Sequence, residues 1–155
     1  MSNPNPEKTI NILLTEDNPG DVRLAKEAMK RAQLRANVSV ATDGEEALAF
    51  LRRQGEFANA VRPSLVLLDL NLPGKNGRAV LREIKDDPSL GCIPVVVLTS
   101  SDAHEDIVTS YKLHASTFIT KPLEITRYTE VMRAMAQYWL DTAKLPESCN
   151  EKRNP

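Results

Sequence analysis

The chain has little of several things, and each shortage narrows what it can be. Cysteine occurs only twice, as Cys92 and Cys149, in neither a C-x-x-C pair nor a Cys/His cluster. That spacing argues against a disulfide framework and against a zinc site, and it leaves Cys92 as a small hydrophobe of a strand. An excess of one charge is missing too. The 20 Lys and Arg residues stand against 21 Asp and Glu, a net charge of −1, so there is no basic surface for nucleic acid or for an anionic membrane. No segment approaches the ~20 apolar residues of a membrane span. The polar start MSNPNPEK has no apolar stretch of signal-peptide length, so a cytoplasmic protein is expected. The two histidines, His104 and His114, stand apart from each other and from any cysteine, and read as solvated rather than as ligands.

What is present is ordinary globular material. Over 155 residues, 41% are apolar and 26% charged, enough for one domain with a core of its own. Residues 1–8 and 142–155 read as flexible ends around a folded unit over 9–141. The fourteen or so residues that end the chain hold no recognisable output domain.

Within that unit two hydrophobic periods alternate. The runs INILLT (10–15), NVSVA (37–41), SLVLLD (64–69), IPVVVLTS (93–100) and STFIT (116–120) read as strands. Between and after them, 18–33, 43–53, 77–87, about 101–113 and 124–140 carry apolar residues at helical spacing. Asn18 with Pro19 opens the first helix, and Asp43 with Glu46 has capping-box spacing at the second. Continuously apolar strands alternating with helices indicate a parallel sheet covered on both faces, an α/β doubly wound (βα)5 sandwich of strand order 2-1-3-4-5.

In such a sheet, ligands sit at the carboxyl ends of the strands. The residues there are Glu16 and Asp17 after strand one, Asp69 after strand three, Thr99 and Ser100 after strand four, and Thr120 and Lys121 after strand five. Three carboxylates cannot all stay charged side by side without compensation. Mg²⁺ resolves the conflict, because it takes carboxylate, water and phosphate oxygens, and Lys121 adds a point charge suited to phosphate.

These motifs, Glu16-Asp17, Asp69 followed by Pro73 and Gly77, Thr99, and Lys121-Pro122, resemble the CheY-like receiver domain of two-component response regulators. The resemblance covers roughly residues 10–140. It implies that Asp69 accepts a phosphoryl group from a phosphohistidine of a sensor kinase. Asp17, Asp69 and the backbone carbonyl of Asn71 would bind Mg²⁺ (or Mn²⁺) directly, and Glu16 through water. Lys121 would pair with Asp69 and then with the phosphoryl group, Thr99 and Phe118 would form the switch, and the Lys121–Pro122 bond would be cis. The protein would be a phosphoacceptor rather than an enzyme, with at most slow self-phosphorylation and self-dephosphorylation. The segments KLHASTFITKPL, RRQGEFANAVRPSLVLLDLNLPGKNGR and QYWLDTAKLP are similar to the stand-alone response regulators of cyanobacterial phytochromes, which implies a phytochrome kinase as partner.

Tyr138, Trp139 and Leu140 extend past the body of a receiver and read as an interface, which points to a homodimer through the face of helix four, strand five and helix five. Each residue also has a plainer role: acids before helix one suit its dipole, Thr99 suits a strand, Pro122 a helix start and Phe118 a core. Two rival functions remain at this point. A phosphatase of the haloacid-dehalogenase type wants an acid two residues after its nucleophile, where this chain has Asn71. A pseudo-receiver, a binding module that never takes phosphate, would not need the full set of Asp17, Asp69, Thr99 and Lys121.

Overall fold

The computed structural model describes residues 9–151. The expected flexible start at 1–8 lies outside them. Five parallel strands form one sheet: β1 (Ile10–Thr15), β2 (Ala36–Ala41), β3 (Leu65–Leu68), β4 (Val95–Thr99) and β5 (Thr117–Thr120). Their order is β2-β1-β3-β4-β5, as the alternation of strand and helix predicts. The helices are α1 (Pro19–Arg31), α2 (Gly44–Leu51), α3 (Gly77–Asp86), α4 (His104–Lys112) and α5 (Ile125–Ala136).

Each strand side chain alternates between two cores. Ile12, Leu14, Leu65, Leu67, Val96 and Leu98 pack with Ala25 and Met29 of α1 and Tyr128 and Met132 of α5. Leu13, Val66, Leu68, Val95 and Val97 pack with Leu48 of α2 and Val80, Leu81 and Ile84 of α3. Burial on both faces is why these strands lack polar alternation.

The helix starts follow local chemistry. Asn18 accepts from the backbone N–H groups of Gly20 and Asp21, with Pro19 at the first position of α1. Asp43 accepts from Glu46 N–H at 2.7 Å, but Glu46 does not return the bond and instead accepts from the Thr42 hydroxyl, so the capping box is half made. The α4 helix begins at His104, three residues later than its apolar spacing suggests. Ser101 donates its hydroxyl to Asp106 at 2.6 Å and thereby holds 101–103 as a loop. His104 is thus the first residue of α4, and His114 follows the helix with a positive φ of 69°.

Five expectations fail. No cis peptide bond occurs among the described residues, so Lys121–Pro122 is trans, the isomer favoured by about 0.5–1 kcal/mol for X–Pro. Cys92 is an exposed loop residue, three positions before β4 begins at Val95, rather than a strand hydrophobe. It is bonded to Cys149 across 57 residues, a contact that linear spacing cannot reveal. The segment after 142 is therefore tied down as far as Cys149 rather than loose. Finally, α5 gives way after Ala136 to a π-helical turn, Gln137–Thr142, closed by Ala143 N–H donating to the Tyr138 carbonyl at 2.6 Å. That turn rotates Leu140 inward to 8% exposure in the α1/α5 core, so Leu140 is not a surface residue. No helix among the described residues is long and apolar enough to cross a membrane.

Gly77 ties the fold to its carboxyl edge. Its N–H donates to the Leu70 carbonyl at 3.0 Å, and a Cβ there would lie 2.4 Å from the Asp69 carbonyl oxygen and 2.5 Å from Leu70 Cα. Backbone atoms cannot step aside as a side-chain end can. Gly77→Ala is expected to lower the unfolding free energy by about 1–3 kcal/mol in urea titration, the usual range for overpacking. An unchanged midpoint would show that the loop after Asp69 shifts freely.

Candidate functional site

The strand ends converge as the topology requires. Glu16 follows β1 and continues its ladder, donating its N–H to the Ala41 carbonyl at 2.9 Å. Asp69 follows β3 and donates its own to the Thr15 carbonyl at 3.1 Å. Lys121 follows β5 and donates its N–H to the Thr99 carbonyl at 2.7 Å. Three side chains that must otherwise avoid burial are thus fixed at one edge by backbone bonds: Glu16, Asp69 and Lys121 are each under one-tenth exposed.

The Lys121 ammonium offsets the charge. Nζ donates to Glu16 Oε2 at 2.6 Å, to Asp69 Oδ2 at 2.9 Å and to Asp21 Oδ2 at 3.1 Å, using all three of its protons. The other Asp69 oxygen, Oδ1, accepts from the Thr99 hydroxyl and from the Asn71 N–H, both at 2.9 Å. Asn71 Nδ2 also reaches Thr99 Oγ1 at 3.5 Å. Asp69 therefore has a donor on each of its oxygens.

The electrostatics divide the two buried acids. Burial pushes the Glu16 carboxyl up to about 7, against the pull of Lys121, and the neighbouring Asp69 adds to the rise. Burial also acts to raise Asp69, but the Asn71 N–H and the Lys121 ammonium outweigh it and hold Asp69 below the usual carboxylate range. Burial works against the charge on Lys121, yet the carboxylates around it keep its pKa raised. Lys121 and the Asn71 N–H thus favour the charged form of Asp69, whereas burial favours the protonated form of Glu16.

The third acid, Asp17, is exposed. Glu16, Asp17 and Asp69 each offer an oxygen, and the three oxygens lie within 4.8 Å of one another. That is a carboxylate donor set with one open side, which suits a hard dication that retains water or binds a phosphate oxygen.

Of the residues singled out from the sequence, Glu16, Asp17, Asp69, Asn71, Thr99 and Lys121 come together here. Phe118 does not touch them. It is half-buried on β5 against the α2/α3 core, and its N–H donates to the Tyr111 hydroxyl at 3.2 Å. Pro122 follows Lys121 at the rim, and Tyr138 and Trp139 lie at the far end of α5. Sequence reasoning missed Asp21, one turn into α1, whose only signal was its spacing of four from Asp17. It also missed the clamp on the loop after β4, where Asp106 of α4 accepts from Ser101 and pairs with Arg78 of α3. Those two partners hold the Asp106 carboxyl below its ordinary range, Ser101 more than Arg78.

A doubly wound parallel sheet with an aspartate, a threonine and a lysine on three successive strand ends, beside an acidic pair, defines a receiver domain. The family description "Response regulator receiver domain" matches residues 12–133, and the chain belongs to that family. It is a phosphoryl acceptor of two-component signalling. Among curated proteins it is 44% identical over 142 residues to the response regulator Rcp1 of Synechocystis, covering 92% of this chain and 95% of Rcp1. The crystal structure of the phosphorylated cyanobacterial phytochrome response regulator RcpA superposes with a TM-score of 0.83 at 48% identity, covering 89% of this chain and 99% of that one. The Mn²⁺-bound form of Rcp1 does so with a TM-score of 0.81 at 44% identity, covering 88% and 99%.

Because Lys121 faces two buried carboxylates and Asp21 faces solvent on one side, the two should differ sharply when removed. Lys121→Met is expected to cost about 3–5 kcal/mol of stability without added metal, the range for breaking a buried pair. Asp21→Asn, a half-exposed partner, should cost less than about 1 kcal/mol. Parallel urea titrations at one pH check the contrast, and equal losses would contradict it.

Proposed function

We propose that Asp69 is the phosphoacceptor and that its donor is a phosphohistidine of a sensor kinase of the phytochrome type. The observation that carries the first part is the double occupancy of Asp69, with Lys121 on one oxygen and the Thr99 hydroxyl on the other. Such a carboxylate is held ionised and oriented, and both of its partners can follow a new anionic group. The likeness to Rcp1 and to the phytochrome response regulator RcpA supports the second part.

The chemistry then follows. An Asp69 oxygen attacks phosphorus, the O–P bond forms as the N–P bond of the phosphohistidine breaks, and the imidazole leaves with the electron pair and takes a proton. Lys121 moves from the carboxylate to an equatorial phosphoryl oxygen. The Thr99 hydroxyl leaves Asp69 Oδ1 and donates to another phosphoryl oxygen, drawing the loop after β4 inward. Phe118 then repacks on β5, so that the α4–β5–α5 face shifts between two packings.

Glu16, Asp17, Asp69 and the Asn71 carbonyl are the residues that would hold Mg²⁺, with Mn²⁺ a substitute, as the Mn²⁺-bound Rcp1 structure suggests. A dication held there would supply positive charge to offset the charge on the phosphoryl oxygens. Asp17 provides the open side of this site. Glu16, already taken up by Lys121, would contribute through water.

The chain acts as a phosphoacceptor and not as a turnover enzyme. Ser101, two residues after Thr99, is engaged by Asp106 and is too short to orient an attacking water, so self-dephosphorylation is slow. We further propose that 9–141 is the receiver unit, against which the segment as far as Cys149 is docked, that it works in the cytoplasm without nucleic acid, and that it signals as a homodimer. Tyr138 is 55% exposed and stacks edge-on against Trp139 with ring centroids 4.8 Å apart. Beside them lies a groove of about 710 Å³ between β5 and α5, which a second copy's aromatic pair would fill.

Incubation with acetyl phosphate and Mg²⁺ should add about 80 Da, one phosphoryl group in place of a proton. The gain should vanish in Asp69→Asn and upon removal of divalent metal. A gain that survives Asp69→Asn would place the acceptor elsewhere, and a bond lost within seconds would contradict slow hydrolysis. Tyr138→Asp should shift sedimentation toward monomer without altering labelling, and an unchanged oligomer would move the interface elsewhere.

A further inference from the structure

The edge of the sheet opposite Asp69 carries a second chemical centre that the phosphoacceptor reading does not use. Three loops meet there. Cys92 lies between α3 and β4, Arg62 lies ahead of β3, and Cys149 comes from the C-terminal segment, which crosses from the α1/α5 face after Leu145 packs into that core. The two sulfurs are bonded, with the Cα atoms 5.5 Å apart. Cys92 is exposed and Cys149 half-buried.

Cations surround this bond. Arg62 Nη2 points at both sulfurs, 3.1 Å from Cys149 Sγ and 3.4 Å from Cys92 Sγ, while its Nη1 donates to the Ser89 carbonyl at 2.9 Å. Lys85 Nζ donates to the carbonyls on either side of Cys92, those of Gly91 at 3.0 Å and Ile93 at 2.7 Å. The Cys92 N–H itself points at Cys149 Sγ at 3.2 Å. A guanidinium held against a sulfur stabilises the thiolate relative to the thiol, and a stabilised thiolate makes a disulfide easier to reduce. An exposed sulfur beside a fixed cation is the environment of redox-responsive pairs.

We propose that Cys92 and Cys149 form a reversible thiol–disulfide pair that docks or releases the C-terminal segment according to the thiol redox state around the protein. A cellular thiol or dithiol is the co-reactant. Its thiolate attacks Sγ of Cys92, the more exposed of the two cysteines, the Sγ–Sγ bond breaks, and the electron pair leaves on Cys149 Sγ beside Arg62. A second thiol of the reductant then displaces Cys92 as a thiolate and ends as a disulfide itself. Two electrons and, after protonation, two protons pass to the protein. Reduction frees residues 146–149, whereas Leu145 remains packed. The reverse exchange with an oxidised disulfide closes it. Because the pair sits at the amino ends of the strands, docking changes without altering the carboxyl-edge site.

The test uses the full chain equilibrated across ratios of reduced to oxidised glutathione, quenched with N-ethylmaleimide and weighed intact. Two populations are expected, carrying two maleimides or none, which interchange within the glutathione range. Hydrogen exchange over 146–150 should rise on reduction. Arg62→Ala should slow alkylation of the reduced thiols roughly tenfold, one pKa unit of lost thiolate stabilisation, and Arg62→Lys should restore most of it. Acetyl phosphate labelling should differ less than about twofold between the two redox forms, as separate edges require. Two maleimides at every ratio, a bond that no glutathione ratio opens, disulfide-linked dimers in place of the internal bond, or Arg62→Ala without effect on alkylation would each overturn the proposal.

Discussion

A buried ammonium between carboxylates is the constraint on which the site depends. Glu16 and Asp69 sit at adjacent strand ends because β1 and β3 are neighbours in the sheet. Burying both anions together costs several kcal/mol unless a cation lies within reach. Lys121 supplies it from β5, two strands away from β3, and its four-carbon stem spans the end of β4 to do so. The fold and the site are therefore not separable: the 2-1-3-4-5 order puts the lysine at the distance its side chain can cover.

The same geometry makes the site responsive. Asp69 is held by Lys121 on one oxygen and by Thr99 on the other, and the Lys121 N–H donates to the Thr99 carbonyl. A group added to Asp69 competes for both partners at once. Thr99 leads directly into the loop that Ser101, Asp106 and Arg78 clamp to α3 and α4. Movement of one hydroxyl is thus coupled to the packing of a helix that contributes little to the core, since Ser110 is the one buried residue within α4. Asp21 provides a third resting place for the ammonium, so Lys121 can change partners without being left uncompensated.

Much of this was legible in the sequence. Five strand-like runs separated by helical periods specify the doubly wound sheet, and burial on both faces removes alternation from the central strands β1, β3 and β4. Polar residues that interrupt such runs, Glu16, Asp69, Thr99 and Lys121, must then stand at strand ends, where function collects. What stayed hidden was long-range or side-chain-specific. Asp21 looks like any acid in the first turn of a helix until Lys121 is seen above it. Leu140 reads on paper as part of an interface past the receiver body, but one π-helical turn swings it into the core. Cys92 and Cys149 are 57 residues apart, and only the path of the C-terminal segment beneath the sheet brings them together. The trans Lys121–Pro122 bond was misjudged because the family pattern was carried over where local energetics favour the commoner isomer.

The two edges of the sheet thus carry different chemistry, an anionic rim around Asp69 and a cation-flanked sulfur pair behind it. The claim that Lys121 is the movable counter-charge of that rim is tested most directly by a crystal structure with Mg²⁺ and a phosphoryl mimic such as beryllofluoride on Asp69. The account predicts Lys121 Nζ and Thr99 Oγ1 within hydrogen-bond distance of the mimic, with the Thr99–Asp69 Oδ1 bond broken. A structure with the mimic in place and both side chains still on the Asp69 carboxylate would contradict it.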